Sequence, residues 1–341
     1  MEVTELATNM KESAEQEEFL SVLEVGKRKM WYSRTFLLFN VLDWTRGRET
    51  AFLCRFSRKN NIRNMNVGSI EILMKYLGIQ TNTEKQIDAK AKDPFRFFLD
   101  KKNYRVYCSL GKVDWTKFKI KALSYALGKR KQQQVALKDD YEKYTFDYTP
   151  CIDLDGNQDI EIIDNKEHKI DLEISQEECV ERALDGAKAI INVLNKYKVK
   201  WFIQFSGTKG FHLFYEIPLD IHYKQKIELA NRIKKGITID TLDLGVVDRY
   251  PDTLRKLIKC PYTLETNHGV TRVVLPLDDA QLKNFDFSKT EVGWVLNNIR
   301  GLKIRGLIWR NENIYISERL SLFNKLLEDF EIEIPNLEEC K

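Results

Sequence analysis

Hydrophobic and polar positions along this chain follow two periods, one near two residues and one near three and a half, and they change places several times. Short apolar runs predict strands over residues 37–42, 50–56, 104–109, 148–154, 201–205, 211–217 and 270–275, with strand-like stretches at 245–247 and 302–309. Apolar residues recurring every three or four positions predict helices over 175–197, 222–235 and 317–330. Shorter helices are expected at 69–77, closed by Gly78, and at 253–259. Ser175 with Glu178 is a capping box that opens the first long helix, and Ser288 with Glu291 offers a second such pair. The runs 201–205 and 211–217 flank Gly207, Thr208, Lys209 and Gly210, the signature of a hairpin. Strands and helices are interspersed and no internal repeat is present, so a mixed fold is expected.

Composition narrows the class. With 341 residues, 43% of them hydrophobic, and only 16 Gly and 7 Pro, the chain can bury a sizeable core and is neither collagen-like nor disordered. No apolar run approaches the roughly 20 residues that span a bilayer, and the acidic N-terminus carries no secretory or mitochondrial address, so a cytoplasmic protein is expected. Six scattered cysteines without a CxxC pair favour buried thiols over a disulfide framework or structural zinc.

The net charge of +4 is too small to argue for a nucleic-acid partner, but its distribution is uneven. Residues 1–24 hold seven Glu against one Lys, whereas residues 25–65 hold ten Lys or Arg against two acids. That second stretch interleaves its cations with Trp31, Tyr32, Phe36, Phe39, Trp44, Phe52 and Phe56. The pattern suits a phosphate backbone with stacked bases, but the plainer alternative is a strand pair with its aromatics in the core and its cations facing water. A second basic stretch covers residues 111–143. The acidic tail, from Glu328 and Asp329 to Glu338 and Glu339, suits a solvated end or a protein-docking one.

Three sets of residues carry chemistry. Asp153 and Asp155 stand at i and i+2 on an apolar strand, so both point to one face and call for a cation; hard carboxylate oxygens suit Mg²⁺ or Mn²⁺. Such a pair also occurs in calcium loops, sugar-nucleotide transferases and plain acidic turns. The calcium loop fails on spacing, since counting from Asp153 puts Gln158 and Asp164 where Gly and Glu are required. Ser206, Gly207, Lys209 and His212 offer a hydroxyl, close-approach backbone amides, an ammonium and an imidazole at a strand-turn-strand, which suits phosphate. An ordinary hairpin turn is the plain alternative. Asp248 follows Val246 and Val247 and is the preferred third carboxylate over Asp240, Asp243 and Asp252. Arg255, Lys256 and Lys259 after it form a basic wall.

Taken in order, these motifs resemble the catalytic core of the archaeo-eukaryotic primase superfamily, most clearly over residues 148–277. The resemblance implies an α+β fold: an α/β N-terminal region packed on an RRM-like catalytic sheet, the active site in the cleft between, and a small C-terminal α/β extension. It divides the chain into an acidic segment (1–24), an N-terminal region with a basic-aromatic surface (25–145), a catalytic core (146–280) and an extension (281–341). It implies that Asp153, Asp155 and Asp248 hold two Mg²⁺ or Mn²⁺ ions, and that Ser206, Gly207, Lys209, His212, Arg255 and Lys259 bind the nucleotide. The expected activity is template-directed transfer of NTP or dNTP to a 3′-hydroxyl on single-stranded or primed DNA, with release of pyrophosphate. Glu265 stands where primase subunits of the family often carry His, Lys259 replaces a common Arg, and no zinc knuckle is evident. These departures resemble stand-alone members associated with plasmids, repair or CRISPR adaptation. The competing readings are a sugar-nucleotide transferase and a non-catalytic nucleic-acid-binding assembly factor.

Overall fold

A computed structural model describes residues 27, 30, 31, 44, 45, 47–54, 62–65, 104–117, 141–163, 166–241, 246–248, 251–254, 256–267, 269–298 and 309–340. The strand expected at 37–42 and the helix at 69–77 lie outside these residues, as does most of the stretch 302–309.

Two antiparallel sheets form the body of this α+β fold. The first contains β1 (Arg48–Cys54), β2 (Ile62–Met65), β3 (Tyr104–Val113), β4 (Thr145–Tyr148) and β10 (Leu257–Lys259), in the order β10-β3-β1-β2. β4 pairs with β3 next to β10, so the long β3 carries both on one edge. The helix expected at 253–259 is not formed: residues 257–259 are extended and pair with Ser109, Cys108 and Tyr107. A three-residue edge pairing with a strand some 150 residues upstream leaves no local signature, and Leu254, Leu257 and Ile258 at i, i+3 and i+4 imitate a helical face.

The second sheet contains β5 (Cys151–Asp155), β8 (Trp201–Phe205), β9 (Gly210–Tyr215) and β13 (Pro276–Leu277), in the order β13-β8-β9-β5. On the free edge of β5, Leu154 bridges Val247 in antiparallel fashion. Helix α1 (Gln176–Lys196) connects β5 to β8, and helix α2 (Tyr223–Thr241) connects β9 to residues 246–248. The result is a βαββαβ unit whose last strand lies beside its first, the RRM-like arrangement expected from the sequence.

Alternation in the strands gives this sheet two unlike faces. Ile152, Leu154, Phe211, Leu213, Ile203 and Phe205 are fully buried on one face. Leu154 and Val246 on that side close on Gly186 of α1. The helix supplies Val180, Ala183, Leu184, Ala187, Ile190, Ile191 and Leu194 at helical spacing. Its start is the predicted capping box, with Glu178 N donating to Ser175 Oγ at 3.2 Å and Ser175 N donating to Glu178 Oε2 at 2.8 Å. The other face turns Phe202, Gln204, His212, Phe214, Asp153 and Asp155 toward the first sheet. There the Trp44 ring meets Phe202 and Phe214 edge-on at 5.2 and 5.0 Å.

Of the basic-aromatic stretch, Trp31, Trp44 and Arg48 are described, whereas Tyr32, Phe36, Phe39 and Phe56 and the side chain of Phe52 lie outside the described residues. Trp31 and Trp44 are buried, and Trp31 donates through its indole to the Tyr262 carbonyl. Arg48 is 2% exposed and bonds the carbonyls of Trp44, Ser109 and Leu110 and the hydroxyl of Thr149. Trp44 bridges the two sheets, its indole donating to Cys108 Sγ at 2.7 Å, and all three residues follow the core alternative of the sequence pattern.

A hairpin of β6 (Gln158–Ile163) and β7 (Lys166–Asp171), absent from the sequence reading, follows β5 directly. A second hairpin joins β11 (Leu264–Asn267) to β12 (Val270–Val273). The C-terminal region adds α3 (Asp279–Lys283), α4 (Val292–Asn298) and α5 (Ile316–Asp329). The second capping box forms at Asp278 and Gln281, not at Ser288 and Glu291, because Ser288 Oγ donates to Asp286 in a one-turn 3-10 helix. Two tail acids are tied to the body: Tyr197 bonds Asp329 and Arg232 bonds Glu339. Among the described residues no helix is long and apolar enough to cross a membrane.

Candidate active site

The register of the second sheet assembles the polar groups in one row. Gln204 on β8 pairs with His212 on β9, and His212 pairs with Asp153 on β5. Around the Leu154–Val247 bridge, Asp248 N donates to the Asp153 carbonyl at 2.9 Å and Asp155 N donates to the Val246 carbonyl at 2.7 Å. Asp248 is therefore the cross-strand neighbour of Asp153, and such neighbours share a face. Asp155, two residues along β5, shares it as well. Asp252, a rival for the third carboxylate, is 2% exposed and tied to Lys234 at 3.3 Å, Lys256 at 3.0 Å and the Tyr148 hydroxyl at 2.9 Å. It is a structural counter-ion. The side chain of Asp240 and all of Asp243 lie outside the described residues.

Each carboxylate of the trio faces a different nitrogen. His212 Nε2 is 3.6 Å from Asp153 Oδ1, Lys209 Nζ is 3.2 Å from Asp155 Oδ2, and Lys256 Nζ is 3.3 Å from Asp248 Oδ2. Burial lowers the His212 pKa to about 4, helped by Lys259 and Lys256 and opposed by Asp153, so the imidazole is neutral at pH 7. Burial, with Asp153 adding to it and Lys209 opposing it, raises the Asp155 carboxyl above its ordinary value. Burial works against the charge of Lys256, but Asp252, Asp153, Cys151 and Asp248 together hold its pKa above that of an ordinary lysine.

The turn from Ser206 to Gly210 closes on itself through Ser206 N donating to the Gly210 carbonyl at 2.9 Å. It needs glycine at both ends. Gly207 has φ +90°, and a Cβ there would lie 2.7 Å from Cβ of Glu265; a Cβ on Gly210 would lie 1.7 Å from the Leu154 carbonyl oxygen. From the first sheet, Lys259 on β10 reaches this turn, donating to the Ser206 carbonyl at 2.9 Å and pairing with Glu265 Oε2 at 3.0 Å. Glu265 also pairs with Arg105 of β3 and is 1% exposed.

The structure thus gathers Asp153, Asp155, Asp248, Ser206, Gly207, Lys209, His212 and Lys259 along the seam between the sheets. Arg255 lies outside the described residues. Gln204 and Arg105 were not singled out from the sequence. A lone amide inside the apolar run 201–205 was a usable signal for Gln204, because a polar group buried in such a run needs partners. Arg105 offered none, since its partner is 160 residues away.

The donor set is all carboxylate oxygen on one face, which fits Mg²⁺ or Mn²⁺. As the side chains are placed, Lys209 and Lys256 draw Asp155 and Asp248 to themselves, and no group of three His, Cys, Asp or Glu among the described residues converges on one point. An ion would therefore exchange with these ammonium groups.

No protein-family model and no curated protein matches this chain. Among solved structures, the polymerase domain from Mycobacterium tuberculosis ligase D in complex with DNA aligns over 91% of this chain and 93% of its own, with a TM-score of 0.44 and 13% identity.

Proposed function

We propose that the chain is a template-directed primase-polymerase of the archaeo-eukaryotic primase type, a nucleotidyltransferase that adds NTP or dNTP to a 3′-hydroxyl. The observation that carries this reading is the row His212, Asp153, Asp248, with Asp155 beside it and a glycine turn flanked by two lysines at its end. A sugar-nucleotide transferase has no use for a third carboxylate opposite the first.

In this reading Asp153, Asp155 and Asp248 would hold two divalent ions, which would supply a lowered pKa at the attacking hydroxyl and a counter-charge at the α-phosphate. The 3′-oxygen forms a bond to the α-phosphorus, the bond from that phosphorus to the β-bridging oxygen breaks, and the hydroxyl proton passes to solvent as pyrophosphate leaves. The hydroxyl of Ser206, the backbone amide of Gly207 and the ammonium of Lys209 bind the β- and γ-phosphates, with His212 and Lys259 beside them. Lys209, which pairs with Asp155 at 3.2 Å, would be the cation nearest to a phosphate at this turn.

A gel assay of incorporation tests this, with Mn²⁺ or Mg²⁺, NTPs or dNTPs, and primed or unprimed templates. Metal-dependent products, lost in Asp155→Ala, are expected. DNA binding with no product under any condition would replace the reading with a non-catalytic assembly factor.

A further inference from the structure

We infer that Gln204 is a positioning residue that locks His212 in the tautomer protonated at Nε2, so that the imidazole can only donate a hydrogen bond toward the phosphate side of the site. The inference rests on the functional reading above for what His212 touches, but its geometry stands alone.

Gln204 is wholly buried in the middle of β8. Its amide nitrogen lies 3.0 Å from His212 Nδ1 and 2.8 Å from the carbonyl oxygen of Lys259. A backbone carbonyl only accepts, so the nitrogen end of the amide must face it, and that fixes which way the amide points. The same nitrogen then offers its second hydrogen to His212, whose Nδ1 must be a bare lone pair. A neutral imidazole with a bare Nδ1 carries its proton on Nε2, the nitrogen that faces Asp153. The opposite tautomer would set an Nδ1–H against an amide N–H. Turning the amide over to relieve that would set Oε1 against the Lys259 carbonyl.

The arrangement has a cost that points the same way. Gln204 Oε1 is buried without a hydrogen-bond partner, a penalty that an apolar side chain of similar size would avoid. The amide is retained for its two N–H groups. Because one of them holds Lys259 of β10, Gln204 also sets the approach of Lys259 to the Ser206 turn across the seam. With Nε2 protonated, His212 neither ligates a metal nor accepts a proton through that nitrogen. It donates to an acceptor, a phosphate oxygen or Asp153.

The test is long-range ¹H–¹⁵N correlation spectroscopy of protein labelled with ¹⁵N-histidine, with the His212 signal assigned by its loss in His212→Asn. The expected result is an Nε2–H imidazole at pH 7 in the wild type, and a mixture of tautomers in Gln204→Met. In the same variant the apparent KM for nucleotide should rise about tenfold, with a smaller change in kcat. An Nδ1–H signal in the wild type, or an unchanged tautomer and KM in Gln204→Met, would overturn the inference. Should Gln204→Met fail to fold, the wild-type spectrum decides alone. An Nε2–H spectrum from protein that incorporates no nucleotide would uphold the role of Gln204 and remove the functional reading.

Discussion

Asp248 lies directly across the strand pair from Asp153, its amide nitrogen 2.9 Å from the Asp153 carbonyl, although 95 residues of chain separate them. That pairing turns a local two-carboxylate motif into a three-carboxylate face. It also separates Asp248 from Asp252, four residues on, which shares Lys256 with it but faces the interior.

The two aspartates should therefore part company on mutation. Asp252→Asn leaves Lys234 and Lys256 without their buried partner and should cost about 3–5 kcal/mol, the scale for breaking a buried ion pair. Asp248→Asn, with Asp252 still holding Lys256, should cost less than about 1 kcal/mol. Urea denaturation of both variants measures the difference.

Stability should also fall in mild acid because of His212. The unfolded imidazole takes up a proton near its ordinary value of 6.5, whereas the folded one waits until about 4. Between those values the unfolded state holds more protons, so stability drops as pH falls through the window, by about 3 kcal/mol over its whole width. His212→Asn should flatten the pH dependence from 7 to 4, which denaturation at each pH would show.

Glu265 is the buried counter-ion of both Arg105 and Lys259. Glu265→Gln keeps the shape and removes the charge, so about 3 kcal/mol of stability should be lost. The freed Lys259 should at the same time bind a triphosphate more tightly. Calorimetric melting and a nucleotide-binding titration would read the two opposite effects in one variant.

Backbone approach at the turn predicts a contrast between glycines. Gly210→Ala sets a methyl against the Leu154 carbonyl and should force β9 away from β5 at Asp155, at a cost of about 3 kcal/mol or more. Gly269→Ala, at positive φ (+75°) but in open space, should cost only about 1–2 kcal/mol. Melting temperatures of the pair check this.

Much of this was legible in the sequence where the cause is local. Alternation placed Asp153 and Asp155 on one face, Ser175 and Glu178 marked the start of α1, and the glycines marked the turn before His212. Contacts made at long range were not legible. Residues 257–259 looked helical until β3 supplied an edge to pair with. Trp31, Trp44 and Arg48 sit in a stretch whose composition suits a nucleic-acid surface or a core, and their burial decides between the two for these residues, because composition does not say which way a strand faces. Asp248 was favoured over Asp252 for its two preceding valines, but only the register with β5 places it opposite Asp153.

In the proposed reading Asp153 and Asp248, with Asp155, serve one metal-dependent centre. Incorporation of a nucleotide on a primed template with Mn²⁺, compared among wild type, Asp153→Asn and Asp248→Asn, tests it most directly. Metal-dependent product is expected from the wild type and a loss of about a hundredfold or more in each variant, with melting temperatures near that of the wild type. Undiminished incorporation by either folded variant would contradict it.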